Sequence, residues 1–432
     1  MLPDIALLKI FDFYTDNALT DAWHTLVHVC RKWRNVIFGS PLRLDLPLSC
    51  DARTPVRETI DVWPLLPILV WGYGHEKWGV DNIIGALEHD DRIRQLILNN
   101  FPIEKALAAI QQPFPALEVL YLESRSETAV VPASFLGGSA PRLQELRLTC
   151  IPFPGLPKLL LSASHLVDLT LRQIPHSGYF SPEAMVTGLA VLTRLEFLEI
   201  GFKSPQSRPD RRRCPPLQTR TLLPALIKLR FLGISEYSGD LVARIDAPLL
   251  DGLDITFFHQ LIFDTPQLTR FISRTPKLKA YDEELVQFLD RSVWVSTIDE
   301  ALRLEISCRQ SDWQISSLAQ VCGSIFIPAI ERLYIREETG SSPSWQDDVE
   351  TGQWLELLRQ FSAVKDLHIS QEFTPRIAPT LQELVGGRVT EVLPALQTLF
   401  LEETLPSGVQ ETIDKFVAAR ELAGHPIAVF YQ

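Results

Sequence analysis

Cysteine is scarce and scattered. The six in this chain of 432 residues, Cys30, Cys50, Cys150, Cys214, Cys308 and Cys322, lie far apart with no Cys-x-x-Cys pair. That spacing argues against a disulfide framework or a zinc site and fits a reducing, intracellular compartment, cytoplasmic or nuclear. Basic charge is also short. A net charge of -12 opposes a nucleic-acid surface, because phosphate binding relies on Lys and Arg to displace counterions, and it disfavours an anionic membrane. No basic-then-apolar leader opens the chain. The one long uncharged run, Trp313 to Ile330, is interrupted by Gln314, Ser316, Ser317, Gln320, Ser324 and Pro328, and reads as a helix and a turn rather than a membrane span.

Catalytic motifs are missing as well. There is no Gly-x-Ser-x-Gly elbow, and neither Gly72-Tyr73-Gly74 nor Gly137-Gly138 opens a phosphate loop. His24 and His28 stand four apart, but Thr25 occupies the place where a zinc protease carries Glu. The expectation is a protein that is not an enzyme and holds neither metal nor cofactor.

What the chain has is leucine in a pattern. With 46% hydrophobic residues it can bury a large core, and the unit apolar-x-x-apolar-x-apolar recurs. It reads Ile93, Leu96, Leu98; Leu117, Leu120, Leu122; Leu143, Leu146, Leu148; Leu166, Leu169, Leu171; Leu195, Leu198, Ile200; and Leu229, Leu232, Ile234. It continues as Leu250, Leu253, Ile255; Ala301, Leu304, Ile306; Ile330, Leu333, Ile335; Val364, Leu367, Ile369; and Leu396, Leu399, Leu401. The last two positions alternate with exposed neighbours, as a strand requires. Ala106 to Ile110, Pro182 to Leu192, Gln353 to Phe361 and Thr412 to Leu422 fall between strands and read as returning helices. One strand and one helix per repeat, stacked, is a leucine-rich-repeat solenoid. The expected fold class is therefore α/β, with parallel strands on a concave face and helices outside. Leu42 to Leu48 and Pro67 to Trp71 read as opening strands. A doubly wound sheet is the competing architecture. It would need the glycine-rich turn that the chain does not supply.

Residues alternating with the buried ones line the concave face. Those are Tyr121, Arg147, Arg172, Phe197, Phe231, Asp254, Tyr334, Arg336, His368 and Phe400, among others. Aromatics and Arg dominate binding energy at protein interfaces, so the set is expected to hold a protein substrate. Each residue taken singly reads as part of a solvated sheet face.

The N-terminal stretch has a different character. Leu2-Pro3-Asp4-Ile5-Ala6-Leu7-Leu8-Lys9-Ile10-Phe11 places Pro3 in a first helical turn and builds one broad apolar stripe. A second run from Ala22 to Cys30 and a third around Trp33, Val36 and Ile37 follow. Three short helices in about 40 residues make a core that needs outside support. These residues, with "HVCRKWRNVIFGSPLRL" closing the run, resemble the F-box, most of all the F-box proteins abundant in mushroom-forming fungi. The resemblance rests on Leu2, Pro3, Ile5, Leu8, Ile10 and Phe11, and on Val29, Cys30, Trp33 and Arg34. It implies an F-box over residues 1–46 and the solenoid over 47–432. It also implies a Skp-type adaptor, and through it a cullin ligase, as partner, docked on Leu2, Pro3, Ile5, Leu8, Ile10, Phe11, Val29, Cys30 and Trp33. The residues alone also fit a helical cap on the repeat array, and a non-ligase interaction scaffold is the alternative reading. Ser204 to Pro216 and Glu337 to Glu350 read as exposed polar loops.

Overall fold

A computed structural model describes residues 3–17, 22–39, 45–50, 56–62, 65–73, 79–99, 103–124, 130–209, 220–263, 265–278, 283–289, 291–297, 301–308, 312–325, 330–337, 351–386, 388–402 and 405–431. Two compact units divide the chain, residues 1–199 and 200–432. Residue 46, the expected boundary between the N-terminal helices and the repeats, is the first residue of strand β1.

That unit opens with three helices, α1 (Asp4–Asn17), α2 (Ala22–Val29) and α3 (Arg31–Phe38). Strands β1 (Leu46–Ser49), β2 (Ile68–Tyr73), β3 (Ile93–Asn99), β4 (Val119–Glu123), β5 (Glu145–Thr149) and β6 (Asp168–Ile174) then pair in sequence order, all parallel. The register explains the repeat. Leu96, Leu120, Leu146 and Leu169 stand side by side on successive strands and are fully buried. Such rows are what apolar residues at a fixed place in each repeat produce when parallel strands stack. The helices Val56–Val62, Val80–Leu87, Ile103–Ala109, Leu156–Leu160 and Pro182–Leu189 fall between successive strands, with a short 3-10 turn, Phe135–Gly138, between β4 and β5.

Strand β7 (Phe197–Phe202) crosses the boundary between the units. The second unit continues with β8 (Thr221–Leu222), β9 (Lys228–Gly233), β10 (Ile245–Asp246), β11 (Gly252–Phe258), β12 (Glu283–Phe288), β13 (Ser292–Thr297), β14 (Leu302–Ser307), β15 (Arg332–Glu337), β16 (Asp366–Ile369), β17 (Thr398–Leu401) and β18 (Ala428–Tyr431). Its main sheet runs β7-β9-β11-β14-β13-β12-β15-β16-β17-β18, while β8 and β10 form a separate pair. Among the described residues the helices Ser235–Ala243, Pro266–Arg274, Asp312–Ile325, Thr351–Arg359, Thr374–Glu383 and Ser407–Leu422 pack each on the next. The mixed α/β architecture, with a long, mostly parallel sheet, is that of an irregular leucine-rich-repeat-like array. In the first unit the strands follow in sequence order with no topological switch point, which removes the crevice a doubly wound site needs.

Two expectations are corrected. One strand per repeat fails at residues 283–307, where β12, β13 and β14 form a meander with β13 antiparallel to both neighbours. The meander folds back, so β14 pairs with β11 and β12 pairs with β15. The second correction is one of register. The repeat unit at β9 is Leu226, just before the strand, with Leu229 and Phe231 within it, all buried, rather than Leu229, Leu232 and Ile234, because Leu253 and Ile255 pair with Leu229 and Phe231; Leu232 is half-buried. Phe231 therefore leaves the open face and packs against Phe202 and Tyr237. The returning helices fall close to where the sequence places them, and Asp312–Ile325 begins the uncharged run. Among the described residues no helix is long and apolar enough to cross a membrane. Both polar loops lie largely outside the described residues.

Candidate functional site

On the face of the strands away from the buried leucine rows, the first unit carries a ladder of matched charges. Arg94 on β3 donates to Glu118 at 2.7 Å and reaches Asp45 at 3.4 Å. The Tyr121 hydroxyl on β4 donates to the Glu145 carboxylate, and burial together with that bond raises its pKa well above the ordinary value. Arg147 on β5 lies over the Tyr121 ring, 4.5 Å from its centre, and donates to Asp168 at 2.8 Å. Arg172 on β6 makes a two-pronged pair with Glu199, at 2.6 and 2.9 Å. The sequence singled out Tyr121, Arg147 and Arg172 as contact residues, and the structure does bring them onto one face. Each already has an acidic partner from the same or a neighbouring strand. Phe197, on β7, is half-buried.

The second unit differs. Register alone aligns one row across its open face: Asp254, Arg303, Ser296, Leu285, Tyr334, His368, Phe400 and Phe430. At one end Asp254 lies 3.6 Å from Arg230, and Arg303 lies 3.6 Å from Glu305 and over the Trp294 ring. At the other end four rings stack. Tyr334 and His368 have centres 4.2 Å apart, His368 and Phe400 4.0 Å apart at 4° between planes, and Phe400 and Phe430 5.5 Å apart. This follows from strand geometry, since parallel neighbours hold equivalent side chains roughly 4.8 Å apart, close to the separation at which rings stack. Burial first, with Arg336 and Arg332 adding to it against the opposing pull of Asp366 and Glu283, lowers the His368 pKa from its ordinary value.

A second row runs beside the rings, two residues further along the chain from each, at the strand ends. Arg336, Ser370 and Glu402 line, with Tyr334, His368 and Phe400, a shallow groove of about 260 Å³. Arg336 is exposed, lies 5.7 Å from the centre of the Tyr334 ring and has no ion pair among the described residues. That sets it apart from Arg94, Arg147, Arg172, Arg230, Arg303 and Arg332, each of which has an acidic partner. Sequence reasoning named Tyr334, Arg336, His368 and Phe400. It missed Phe430, because Ala428-Val429-Phe430-Tyr431 lacks the three-residue lead-in of the repeat.

The N-terminal helices form a second candidate surface. Leu7, Phe11, Leu26, Val27, Val36 and Ile37 are buried, and the Phe11 and Trp33 rings meet at 4.8 Å. Cys30 caps α3, its sulfur accepting from the Trp33 N-H; Arg34 donates to the Val27 carbonyl at 3.1 Å and Lys32 pairs with Asp4 at 3.3 Å. Ile5, Ile10 and Val29 stay outside this small core, 70%, 47% and 54% exposed. Pro3 and Cys30 are exposed, and Leu8 and Trp33 half-buried. Of the residues expected to dock a partner, Phe11 is buried and packs from α1 onto Trp33 of α3. Leu2 lies outside the described residues, as do the side chains of Trp23 and His24.

No family model matches the chain, and no curated protein matches its sequence. Among solved structures, the leucine-rich repeat-containing protein LegL7 from Legionella pneumophila is similar at 10% identity and a TM-score of 0.30, over 86% of this chain and 97% of that one.

Proposed function

We propose that the chain is a non-catalytic substrate receptor of a cullin-type ubiquitin ligase, built on a repeat-based protein-interaction scaffold. The helices α1 to α3 bind a Skp-type adaptor, and the open face of the strands holds a protein substrate within reach of the ubiquitin-carrying enzyme, so that rate comes from proximity. One observation carries the adaptor half: Ile5, Ile10 and Val29 are exposed while Leu7, Phe11, Leu26, Val27, Val36 and Ile37 on the same three helices are buried. The three exposed positions coincide with residues on which the F-box resemblance rests.

The experiment is co-purification with a Skp-type adaptor, comparing the wild type with an Ile5→Asp, Ile10→Asp double variant. Both positions are exposed, so the charges leave the three-helix core intact while opposing docking. Adaptor capture that the variant abolishes supports the receptor reading. A wild type that fails to bind removes the ligase role.

The second reading, a scaffold outside any ligase, is favoured by the inward placement of Phe11 and the half-burial of Trp33. They leave a smaller docking patch than the sequence suggested. In that reading the helices cap the array and the open face alone carries function.

A further inference from the structure

The groove beside Tyr334, His368 and Phe400 has a chemistry that narrows its occupant; the argument rests on the protein-binding reading of the open face. His368 and Phe400 use both ring faces on their neighbours, at 4.2, 4.0 and 5.5 Å. A nucleobase or a sugar ring needs a free aromatic face to stack on, and these two rings present only their edges. Ring edges carry partial positive charge, which suits backbone carbonyl oxygens and aliphatic side chains. The second row adds opposite charges at its two ends, Arg336 on β15 and Glu402 just past the end of β17, separated by Ser370 just past the end of β16. Neither charge has an ion-pair partner among the described residues, whereas Arg230, Arg303 and Arg332 on the same unit do. Two strand spacings put their Cα atoms about 10 Å apart. A polyproline-type peptide returns the same face every third residue, after about 9.3 Å. The two repeats match.

We propose that this groove binds an extended, polyproline-like segment of a partner protein that lies across β15, β16 and β17. It carries a carboxylate over Arg336, a cationic side chain three residues away over Glu402, and an apolar residue between them against the edges of His368 and Phe400. Pairing between charges that remain partly solvated gives direction and selectivity, while the ring edges give area.

The test uses two fluorescein-labelled peptides of equal composition, with cores Asp-Pro-Leu-Lys and Lys-Pro-Leu-Asp, titrated by anisotropy against the full chain. The wild type is expected to prefer one order by about ten-fold, the ratio for roughly 1.4 kcal/mol. The Arg336→Glu, Glu402→Arg double variant is expected to prefer the other order. Both substitutions lie on exposed positions, and circular dichroism verifies folding. Absence of binding, binding without preference for order, or a preference that survives the charge exchange overturns the proposal. Phe400→Arg separates the two levels. If it abolishes peptide binding while the charge exchange has no effect, only the charge-pair inference fails. If it leaves binding unchanged, the open-face reading fails as well. Self-association of the chain that competes with both peptides overturns the proposal in favour of a second copy as occupant.

Discussion

Glu284 stands in a row of leucines, and that placement yields a sharp prediction. On the packed face of β12 it is in register with Leu333, which continues into Leu367 and Leu399, and on its other side it faces Thr297 of β13. The side chain is buried, and its Oε2 has no hydrogen-bond partner among the described residues. Burial pushes its pKa from 4.5 up to about 8. The nearby Cys322 thiol is raised too, by burial first and then by Glu284, so it stays protonated across the range considered. In the folded chain Glu284 holds its proton up to about pH 8, whereas in the unfolded chain it loses it near 4.5. The folded state therefore binds more protons between those values, and stability falls as pH rises through that window. The sign is opposite to that of a salt-bridged carboxylate. A tenfold difference in proton affinity between the folded and unfolded chain corresponds to about 1.4 kcal/mol, which places the total loss at roughly 5 kcal/mol by pH 9. Glu284→Gln keeps the shape and removes the ionisation. Urea unfolding at pH 5, 7 and 9 is the assay: the variant minus wild-type stability should be small at pH 5 and grow by several kcal/mol towards pH 9. A difference that is constant with pH would refute the reasoning.

Other outcomes follow from burial and bonding. Arg420, fully buried, donates to the carbonyls of Val389, Leu393, Pro394, Leu396 and His425; Arg420→Met should cost about 3–5 kcal/mol by stranding those acceptors, read as a lowered urea midpoint. Phe11→Ala should cost about 3–4 kcal/mol as a core truncation, whereas Ile5→Ala should stay within about 0.5 kcal/mol, a contrast measurable by thermal melting. Arg172→Ala should cost less than about 1 kcal/mol despite two short hydrogen bonds to Glu199, because the guanidinium is half exposed; a loss above about 2 kcal/mol in chemical denaturation would contradict this.

The sequence announces the rows because a leucine repeated at one strand position has a single physical cause, stacking in register. Tyr334, His368 and Phe400 could be placed on one face for the same reason. Their stacking could not, since it depends on neighbouring strands having no relative shift. Three features escaped. Glu-Glu-Leu-Val-Gln-Phe and Ser-Val-Trp-Val-Ser-Thr alternate with period two and so carry a strand signal, but without the three-residue lead-in they do not look like repeats. The slip at Phe231 arose because Leu226, Leu229, Leu232 and Phe231 satisfy two overlapping templates in "LPALIKLRFLGIS". Glu284 is chemically indistinguishable from its neighbour Glu283. Only its parity with Val286 and Phe288 hints that it points inward. At the N-terminus the stripe on α1 is broad enough to serve two purposes, and periodicity does not divide Phe11, which packs, from Ile5 and Ile10, which do not.

The reversed meander from β12 to β14 bears on how the chain can grow, both as it folds and over evolutionary time. In an ordinary repeat array each unit docks on the one before it, so order propagates step by step and a repeat can be gained or lost without disturbing the others. Here β11 waits for β14, and β15 waits for β12. Residues 252–337 must therefore assemble as one block. That block interrupts the nearest-neighbour chain of events with long loop closures, which are slow to form. Deleting any one of its strands would leave two unmatched edges, so this stretch is fixed in length while the repeats on either side remain free to vary.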